Sequence, residues 1–291
     1  MRNFDYFEPT TLDEAVALLR SNQGSASVLA GGTDLLVQMK EHLRHPAQVI
    51  NIKKIAAMHG LEYAAPDGLR IGALVTTRAV ETSAVARRHY AGLCRASTDF
   101  ASVQVRNRAT VVGNVCRASP SADTLPPLIA DAAVLGIHGP DGARTVALED
   151  FFTGAGKTVL GFDEIATHVT VPAPPPHTGK VYIKHGRRIA MELATVGVAV
   201  TLTLEGGVCS AVRIVLGAVA ATPLRARRAE TLLLGQRVDA ALVAAAAAQA
   251  MAAARPISDV RASADYRRQM VGVLTRRALE QALQQARENT Q

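Results

Sequence analysis

Apolar positions in the first part of the chain switch repeatedly between helical and strand spacing. Leu12, Val16 and Leu19 recur on one helix face, directly after a capping box over residues 11–14. Short runs of alternating or β-branched residues bounded by turn residues predict strands. The predicted helices are 12–23, 35–43, 77–88, 90–105 and 127–132; the predicted strands are 27–30, 48–53, 69–74 and 163–172, with a hairpin over 133–148; and residues 106–127 are predicted to be a long polar loop.

The pattern changes after a proline cluster, Pro172 to Pro176, which predicts a boundary between domains 1–175 and 176–291. Beyond it, residues 197–219 alternate as a long hairpin around Gly206 and Gly207, and three helices follow near 226–235, 238–254 and 263–288. We therefore expect a mixed protein of two domains, with antiparallel strands prominent in the second.

Composition and charge narrow the classes of protein that this sequence can encode. With 48% hydrophobic and 20% charged residues, the chain is typical of globular proteins. The longest apolar run, residues 241–254, is too short to span a bilayer, and the first residues lack a signal-peptide pattern. The net charge of +7 is concentrated in the C-terminal third, but base-stacking aromatics and nucleic-acid motifs do not accompany it. Two interpretations of this basic region remain: a solvated face, or a surface that binds an acidic ligand or partner chain.

The cysteines argue against a metal centre in this chain. Cys94, Cys116 and Cys209 are widely spaced and form no metal-ligand pattern. Three thiols are too few for an iron–sulfur cluster, which usually needs four. Their sparse, odd count favours a reducing compartment, so we expect a cytoplasmic protein.

Two glycines, Gly31 and Gly32, stand between a predicted strand and a predicted helix. The absence of two Cβ atoms lets a ligand approach the backbone, and the N–H groups point toward the start of the next helix. This arrangement suits a diphosphate. A tight turn that requires a positive φ is the alternative interpretation.

A second segment, residues 109–128, is rich in small hydroxyl and amide side chains. It contains Asn114, Ser119, Ser121 and Thr124, and its carboxylate, Asp123, suits the hydroxyls of a ribose. A solvated surface loop would have a similar composition.

The sequence GAGKT at 154–158 is not a P-loop, because Phe151 stands where that motif requires its first glycine. Neither a catalytic triad nor an acid–base pair stands out.

Several segments together resemble one protein family. They are "FDYFEPTTLDEAVALL" (4–19), "LAGGTDLL" (29–36), "VRNRATVVGNVCRASPSADTLPPL" (105–128) and "YIKHGRRIAMELATVGVAV" (182–200). These resemble the FAD-binding medium subunits of the molybdenum hydroxylases, of the xanthine dehydrogenase and carbon monoxide dehydrogenase type. The resemblance implies an α+β fold, with a two-part FAD-binding (PCMH-type) N-terminal domain and a smaller α/β C-terminal domain.

The resemblance also implies where FAD is held. Two loops, Ala30–Leu35 and Thr110–Asn114, would hold its diphosphate. The implied cofactor-binding residues are Leu29, Ala30, Gly31, Gly32, Thr33, Asp34 and Leu35 in the first loop; Thr110, Val111, Gly113 and Asn114 in the second; Ser119, Ser121 and Asp123 toward the ribose or adenine; Glu164 and Ile165 at an adenine-side wall; and Tyr182 and Lys184 near the flavin ring.

Two positions depart from the family pattern. Val112 stands where the family usually has the first of two glycines, and a branched side chain restricts φ and close approach. Either this side chain points away from the cofactor or FAD is held less tightly. Glu192 stands where the family often has aspartate.

The function implied by the resemblance is electron transfer. A large subunit carrying the molybdenum cofactor and a small subunit with two [2Fe–2S] clusters would be partners in a dimer of heterotrimers, and FAD in this chain would pass electrons to NAD⁺, oxygen or another acceptor. A stand-alone FAD-dependent oxidoreductase is the alternative, and a binding module with a decayed FAD loop is a third hypothesis. The substrate and the acceptor are not encoded in these motifs.

Overall fold

A computed structural model describes residues 1–289 of the chain. Up to the proline cluster, the elements in chain order are β1 (Asp5–Phe7), α1 (Leu12–Ser21), β2 (Ala26–Leu29), α2 (Leu35–Lys40), β3 (Gln48–Asn51), β4 (Leu61–Ala64), β5 (Gly68–Gly72), α3 (Thr77–Thr82), α4 (Ala84–His89), α5 (Ala91–Asp99), α6 (Val103–Arg106), α7 (Val111–Arg117), α8 (Leu125–Ala130), β6 (Val134–Gly139), β7 (Gly142–Ala147), β8 (Phe152–Gly154), β9 (Lys157–Thr158) and β10 (Ile165–Val171). After the cluster come β11 (Thr178–His185), β12 (Val196–Glu205), β13 (Val208–Gly217), β14 (Leu224–Arg225), α9 (Arg227–Leu233), α10 (Ala240–Ala253) and α11 (Ala264–Glu288).

A small parallel sheet supports the first glycine loop. Its strand order is β1–β3–β2, and the register pairs Leu29 at the end of β2 with Asn51 at the end of β3. In α1, the buried residues Ala15, Val16 and Leu19 form the predicted apolar face, and Thr11 caps the helix by accepting a hydrogen bond from the Glu14 N–H. Parallel strands end at the same edge, so the loop after β2 leaves the sheet beside the end of β3.

A five-stranded antiparallel sheet forms the middle of the N-terminal part. Its order is β4–β5–β10–β6–β7, which places β10 at the centre. The register of β10 against β6 shifts between Ala166 and His168, so the first residues of β10 are offset by a bulge. The predicted β6–β7 hairpin turns at Gly142, whose φ is +97°. Ile165 and Ala166, at the amino end of the central strand, line the cleft described below.

The third sheet, β11–β12–β13–β14, is antiparallel and lies between two groups of helices. On β12, Val198 and Val200 pack toward α10 and α11, whereas the small side chain of Ala199 joins the core of the N-terminal part. The opposite face of the sheet contacts α5 and α8. The two parts of the chain are thus joined by a shared apolar layer.

The mixed helix and strand order agrees with the expected fold class, and most predicted elements are present. The prediction of a loop over 106–127 is wrong, because α7 occupies its centre. Val111, Val112 and Val115 are buried on one face of this helix, and the Thr110 side chain caps it at the Gly113 N–H. The β-branched and glycine residues hid this short helical spacing. The pattern also did not predict β11.

Within residues 1–289, no helix combines the length and the apolar content that crossing a membrane requires.

Candidate functional site

The two glycines after β2 have different structural roles. Gly32 has φ +78°, a conformation that favours glycine in a tight turn. A Cβ on Gly31 would lie 2.2 Å from the carbonyl oxygen of Arg108 and 3.0 Å from the Cα of Ala109. Gly31 therefore allows the backbones of the two glycine-containing segments to touch, and Gly32 fits the interpretation as a tight turn, whereas the binding of a diphosphate at this junction stays a prediction.

The second segment is fixed by hydrogen bonds to the chain around residue 76. The Thr77 N–H donates to the Ala109 carbonyl at 2.8 Å, and the Val111 N–H donates to the Val75 carbonyl at 3.2 Å. Helix α7 starts immediately afterwards, with the Gly113 N–H donating to Thr110 Oγ1 at 3.0 Å. These contacts hold the start of α7 beside the first glycine loop.

A cleft of about 1100 Å³, including its open mouth, lies between these segments. Twelve of the predicted cofactor-binding residues line it: Leu29, Ala30, Gly31, Gly32, Thr33, Asp34, Leu35, Thr110, Gly113, Asn114, Glu164 and Ile165.

Unpaired backbone donors in this cleft fit an anionic group. The N–H groups of Gly32, Thr33 and Asp34 have no hydrogen-bond acceptor within residues 1–289. The second segment offers fewer donors, because its Val111 and Gly113 N–H groups are already bonded. A loop that lines a cleft and has several free amides is suited to a diphosphate.

Glu164 and Ile165, at the start of β10, form another part of the cleft wall. The Glu164 carboxylate accepts two hydrogen bonds of 2.6 Å from the Arg144 guanidinium and one of 2.7 Å from the Gly161 N–H. The Arg144 hydrogen bonds hold the pKa of Glu164 below its ordinary value. This carboxylate is consequently fixed in place and charge-balanced before any ligand arrives.

Six predicted residues do not line the cleft. Val111 is fully buried in the core, and Ser119 and Ser121 lie in the half-buried turn after α7. Asp123, Tyr182 and Lys184 form a separate buried cluster, described next. The part of these six residues in cofactor binding stays a prediction.

The buried cluster connects the turn after α7 to β11. Asp123 accepts hydrogen bonds of 2.8 Å from the Tyr182 hydroxyl and from Lys184 Nζ, which also donates to the Asp99 carbonyl at 3.0 Å. Burial raises the pKa of Asp123 to about 6, against the lowering effects of Lys184 and Tyr182. The carboxylate is therefore occupied by protein donors in this structure.

The two departures from the family pattern have clear positions. Val112 borders the cleft, but its side chain packs in the core and is only 2% exposed, because the helical backbone of α7 turns it inward. Glu192 lies in the segment between β11 and β12, with Arg187 and Arg188 at 3.7 and 3.6 Å from its carboxylate. The branched side chain of Val112 is thus accommodated without filling the cleft.

Sequence reasoning missed several residues that line the cleft. Gln38 and Arg44 come from α2 and the segment after it, Arg117 ends α7, and Gly156 is the second glycine of the GAGKT segment. Of these residues, Gly156 belongs to a segment that the sequence analysis singled out. It forms a turn with φ +68° and is not part of a P-loop. Within residues 1–289, no group of three or more potential ligands is placed to hold a metal ion.

Family comparisons cover both parts of the chain. The family model described as "FAD binding domain in molybdopterin dehydrogenase" matches residues 2–174. The model described as "CO dehydrogenase flavoprotein C-terminal domain" matches residues 181–282.

Individual relatives match over nearly the whole length. A putative xanthine dehydrogenase FAD-binding subunit of Escherichia coli K12 is 34% identical over 280 residues, covering 96% of this chain and 95% of the relative. A carbon monoxide dehydrogenase medium chain of Afipia carboxidovorans is 35% identical over 285 residues, covering 98% of both.

Solved structures share the fold. A chain of the Hydrogenophaga pseudoflava carbon monoxide dehydrogenase lacking the Mo-pyranopterin moiety superposes with a TM-score of 0.94 at 36% identity, covering 98% of both chains. A chain of quinoline 2-oxidoreductase from Pseudomonas putida 86 superposes with a TM-score of 0.90 at 30% identity and the same coverage. These comparisons confirm the resemblance found in the sequence motifs.

Proposed function

Because the chain belongs to the family of FAD-binding subunits of the molybdenum hydroxylases, we propose that it transfers electrons from [2Fe–2S] clusters of a partner subunit, through FAD, to an external acceptor. Bound FAD would supply the redox chemistry, since it exchanges electrons both singly and in pairs. The contribution of the chain is to bind the cofactor, orient it and exclude water from part of its surface.

The observation that carries this proposal is the backbone contact between Gly31 and Arg108. It places two loops on one cleft, with the free amides of Gly32, Thr33 and Asp34 available to it. We propose that these amides hold the diphosphate. The Asn114 side chain would assist, because Thr124 donates to its Oδ1 at 2.7 Å and so leaves Nδ2 as the free donor.

The same proposal includes partners. We propose a large molybdenum-cofactor subunit and a small [2Fe–2S] subunit as partners, in a dimer of heterotrimers; relatives named medium chains of carbon monoxide dehydrogenase support the presence of a larger and a smaller partner chain. The three free cysteines support the placement of iron–sulfur clusters in other chains, and a cytoplasmic location.

The proposed boundary between domains 1–175 and 176–291 is supported by the proline cluster and by family matches that end at 174 and resume at 181.

The test is purification of the full-length chain followed by visible absorption spectroscopy before and after FAD is added. Flavin bands that remain with the protein through gel filtration support the proposal. Their absence from a folded chain after reconstitution would contradict it. Co-purification then separates the two enzyme hypotheses, since a complex containing molybdenum and iron supports the electron-transfer subunit and an active lone chain supports a stand-alone FAD-dependent oxidoreductase.

A further inference from the structure

Arg117 lies where three segments of the cleft wall meet. It is the last residue of α7, and its Nε lies 3.3 Å from Asp34 Oδ1 in the first glycine loop. On the other side, a Cβ on Gly156 would lie 3.3 Å from Arg117 Nη1. The guanidinium is therefore held next to both loops that border the cleft, with 40% of the side chain exposed.

A diphosphate in the cleft would carry two negative charges, and few cationic side chains line the cleft to balance them. Four charged side chains line the cleft: Asp34, Arg44, Arg117 and Glu164. Glu164 is already neutralised by Arg144. Arg44 also lines the cleft and forms no ion pair within residues 1–289, but it follows α2 and lies outside both glycine-containing segments. Arg117 is the cation at the junction of the two loops.

The backbone of the second loop also calls for an additional donor. Two amides at the start of α7 are bonded within the protein, so this side of the cleft offers less than the first loop does. A guanidinium supplies several N–H donors in a planar fork together with a positive charge, which suits phosphate oxygens.

We propose that Arg117 binds the diphosphate of FAD, and that it does so by exchanging the Asp34 carboxylate for phosphate oxygens. The exchange is favourable because a partly exposed arginine–aspartate pair is weak, whereas a diphosphate carries two charges and accepts charge-assisted hydrogen bonds from the guanidinium. Asp34 then becomes the competitor that holds Arg117 in position while the cleft is free of cofactor. This inference rests on the proposed FAD function.

The first test is FAD titration of the flavin-free, full-length chain at several salt concentrations. Arg117→Gln should weaken FAD binding about tenfold or more, the effect of losing a hydrogen bond to a charged group, and should flatten the salt dependence. Arg117→Lys should recover part of the affinity, because it keeps the charge without the fork.

The matched control is Arg268→Gln. Arg268 also pairs with one aspartate, Asp265, at 2.7 Å, and its side chain is 43% exposed, but it lies on α11 and does not line the cleft. This variant should bind FAD as the wild type does. Equal FAD affinity and an equal salt slope for Arg117→Gln and Arg268→Gln would overturn the inference.

A second experiment separates phosphate binding from a purely structural role for the Asp34–Arg117 pair. Asp34→Asn keeps the size of the side chain and removes its charge, so it weakens the attraction of residue 34 for Arg117. If Arg117 binds phosphate, Asp34→Asn should bind FAD at least as tightly as the wild type. If Arg117 merely holds the loop through Asp34, the two single variants should lose the same affinity, and the inference would be wrong.

Competition with ADP shows which part of FAD Arg117 contacts. ADP carries a diphosphate without a flavin, so Arg117→Gln should weaken ADP and FAD by similar factors. A loss confined to FAD would place Arg117 elsewhere and overturn the assignment. A wild-type chain that binds no FAD would contradict the proposed function itself, whereas a wild type that binds FAD and an Arg117→Gln variant that binds it equally would contradict only this inference.

Discussion

The Cα of Gly31 and the carbonyl oxygen of Arg108 are so close that a Cβ on Gly31 would approach this oxygen to 2.2 Å. Two segments far apart in the chain are therefore joined through backbone, and the cleft between them depends on the missing side chain. This contact explains the first of the two successive glycines after β2, and the positive φ of Gly32 explains the second.

Gly31→Ala should separate the two loops. The overlap with Arg108 should cost about 1–3 kcal/mol of folding stability, typical of overpacking. FAD affinity should also fall, because the two loops would no longer border the cleft at their present separation. Both quantities are measurable by denaturant unfolding and by flavin titration at a temperature where the variant is folded.

Gly179→Ala is the control for this substitution. A Cβ on Gly179 would lie 2.0 Å from the Ala282 carbonyl oxygen, between β11 and α11 and outside the cleft lining. It should cause a similar stability loss and leave the FAD affinity of the folded protein unchanged. A parallel loss of affinity in both variants would mean that Gly31 acts only through general stability.

Val112→Gly should reduce stability and have little effect on FAD affinity. The side chain is 2% exposed in the core, and glycine is unfavourable inside a helix, so we expect a loss of about 2–4 kcal/mol. A large increase in FAD affinity without a stability loss would show instead that the valine obstructs the cofactor.

Glu164→Gln should reveal a pH-dependent contribution at the cleft wall. The pKa of Glu164 is lowered from 4.5 in the folded state, so its contribution to stability is present above pH 4.5 and is lost as the pH falls through the lower folded-state pKa. The contribution should be about 1 kcal/mol, because the Arg144 side chain is 42% exposed.

Unfolding midpoints measured from neutral to acidic pH test this sign. Wild type and Glu164→Gln should differ most at neutral pH and converge under acidic conditions. Glu280→Gln on α11 serves as the control, since Glu280 is exposed and has no ion-pair partner within residues 1–289. A difference that grows on acidification would contradict the assignment.

The buried pair of Asp131 and Lys180 should couple the two parts of the chain. Asp131 Oδ1 lies 2.9 Å from Lys180 Nζ, with side chains 2% and 7% exposed, and it accepts a further hydrogen bond of 2.7 Å from Thr201 Oγ1. Asp131→Asn leaves the lysine charge buried without a counter-charge, which should cost about 3–5 kcal/mol.

The double variant Asp131→Asn/Lys180→Met should recover much of that loss, because the unpaired charge is removed and the apolar methionine can pack on the Tyr90 ring, over which Lys180 Nζ lies 4.4 Å from the centroid. Denaturant unfolding of both single variants and the double variant gives the coupling energy. Additive effects would mean that the pair contributes no coupling between α8 and β11.

The sequence was informative wherever local patterns set the structure. The apolar face of α1, the Gly142 hairpin and the long β12–β13 hairpin follow from spacing and turn residues alone. The first glycine loop was also visible, because a strand, two glycines and a helical pattern are contiguous.

Tertiary contacts account for what the sequence could not predict. The sequence predicts a glycine junction at Gly31. It does not predict the contact with the Arg108 backbone, because Arg108 is distant in the chain. Asp123 looked available for a ribose, yet Tyr182 and Lys184 from β11 occupy its carboxylate oxygens. In the sequence, Arg117 is an ordinary cation at the end of a segment. Only the fold shows that it lies beside Asp34.

Amide hydrogen exchange of the full-length chain with and without FAD tests the two-loop cradle most directly. Peptides that cover Ala30–Leu35 and Thr110–Asn114 should both exchange more slowly when FAD is bound, while peptides from α10 and α11 should exchange at unchanged rates. Protection of only one loop, or protection confined to other segments, would contradict a diphosphate held between the two.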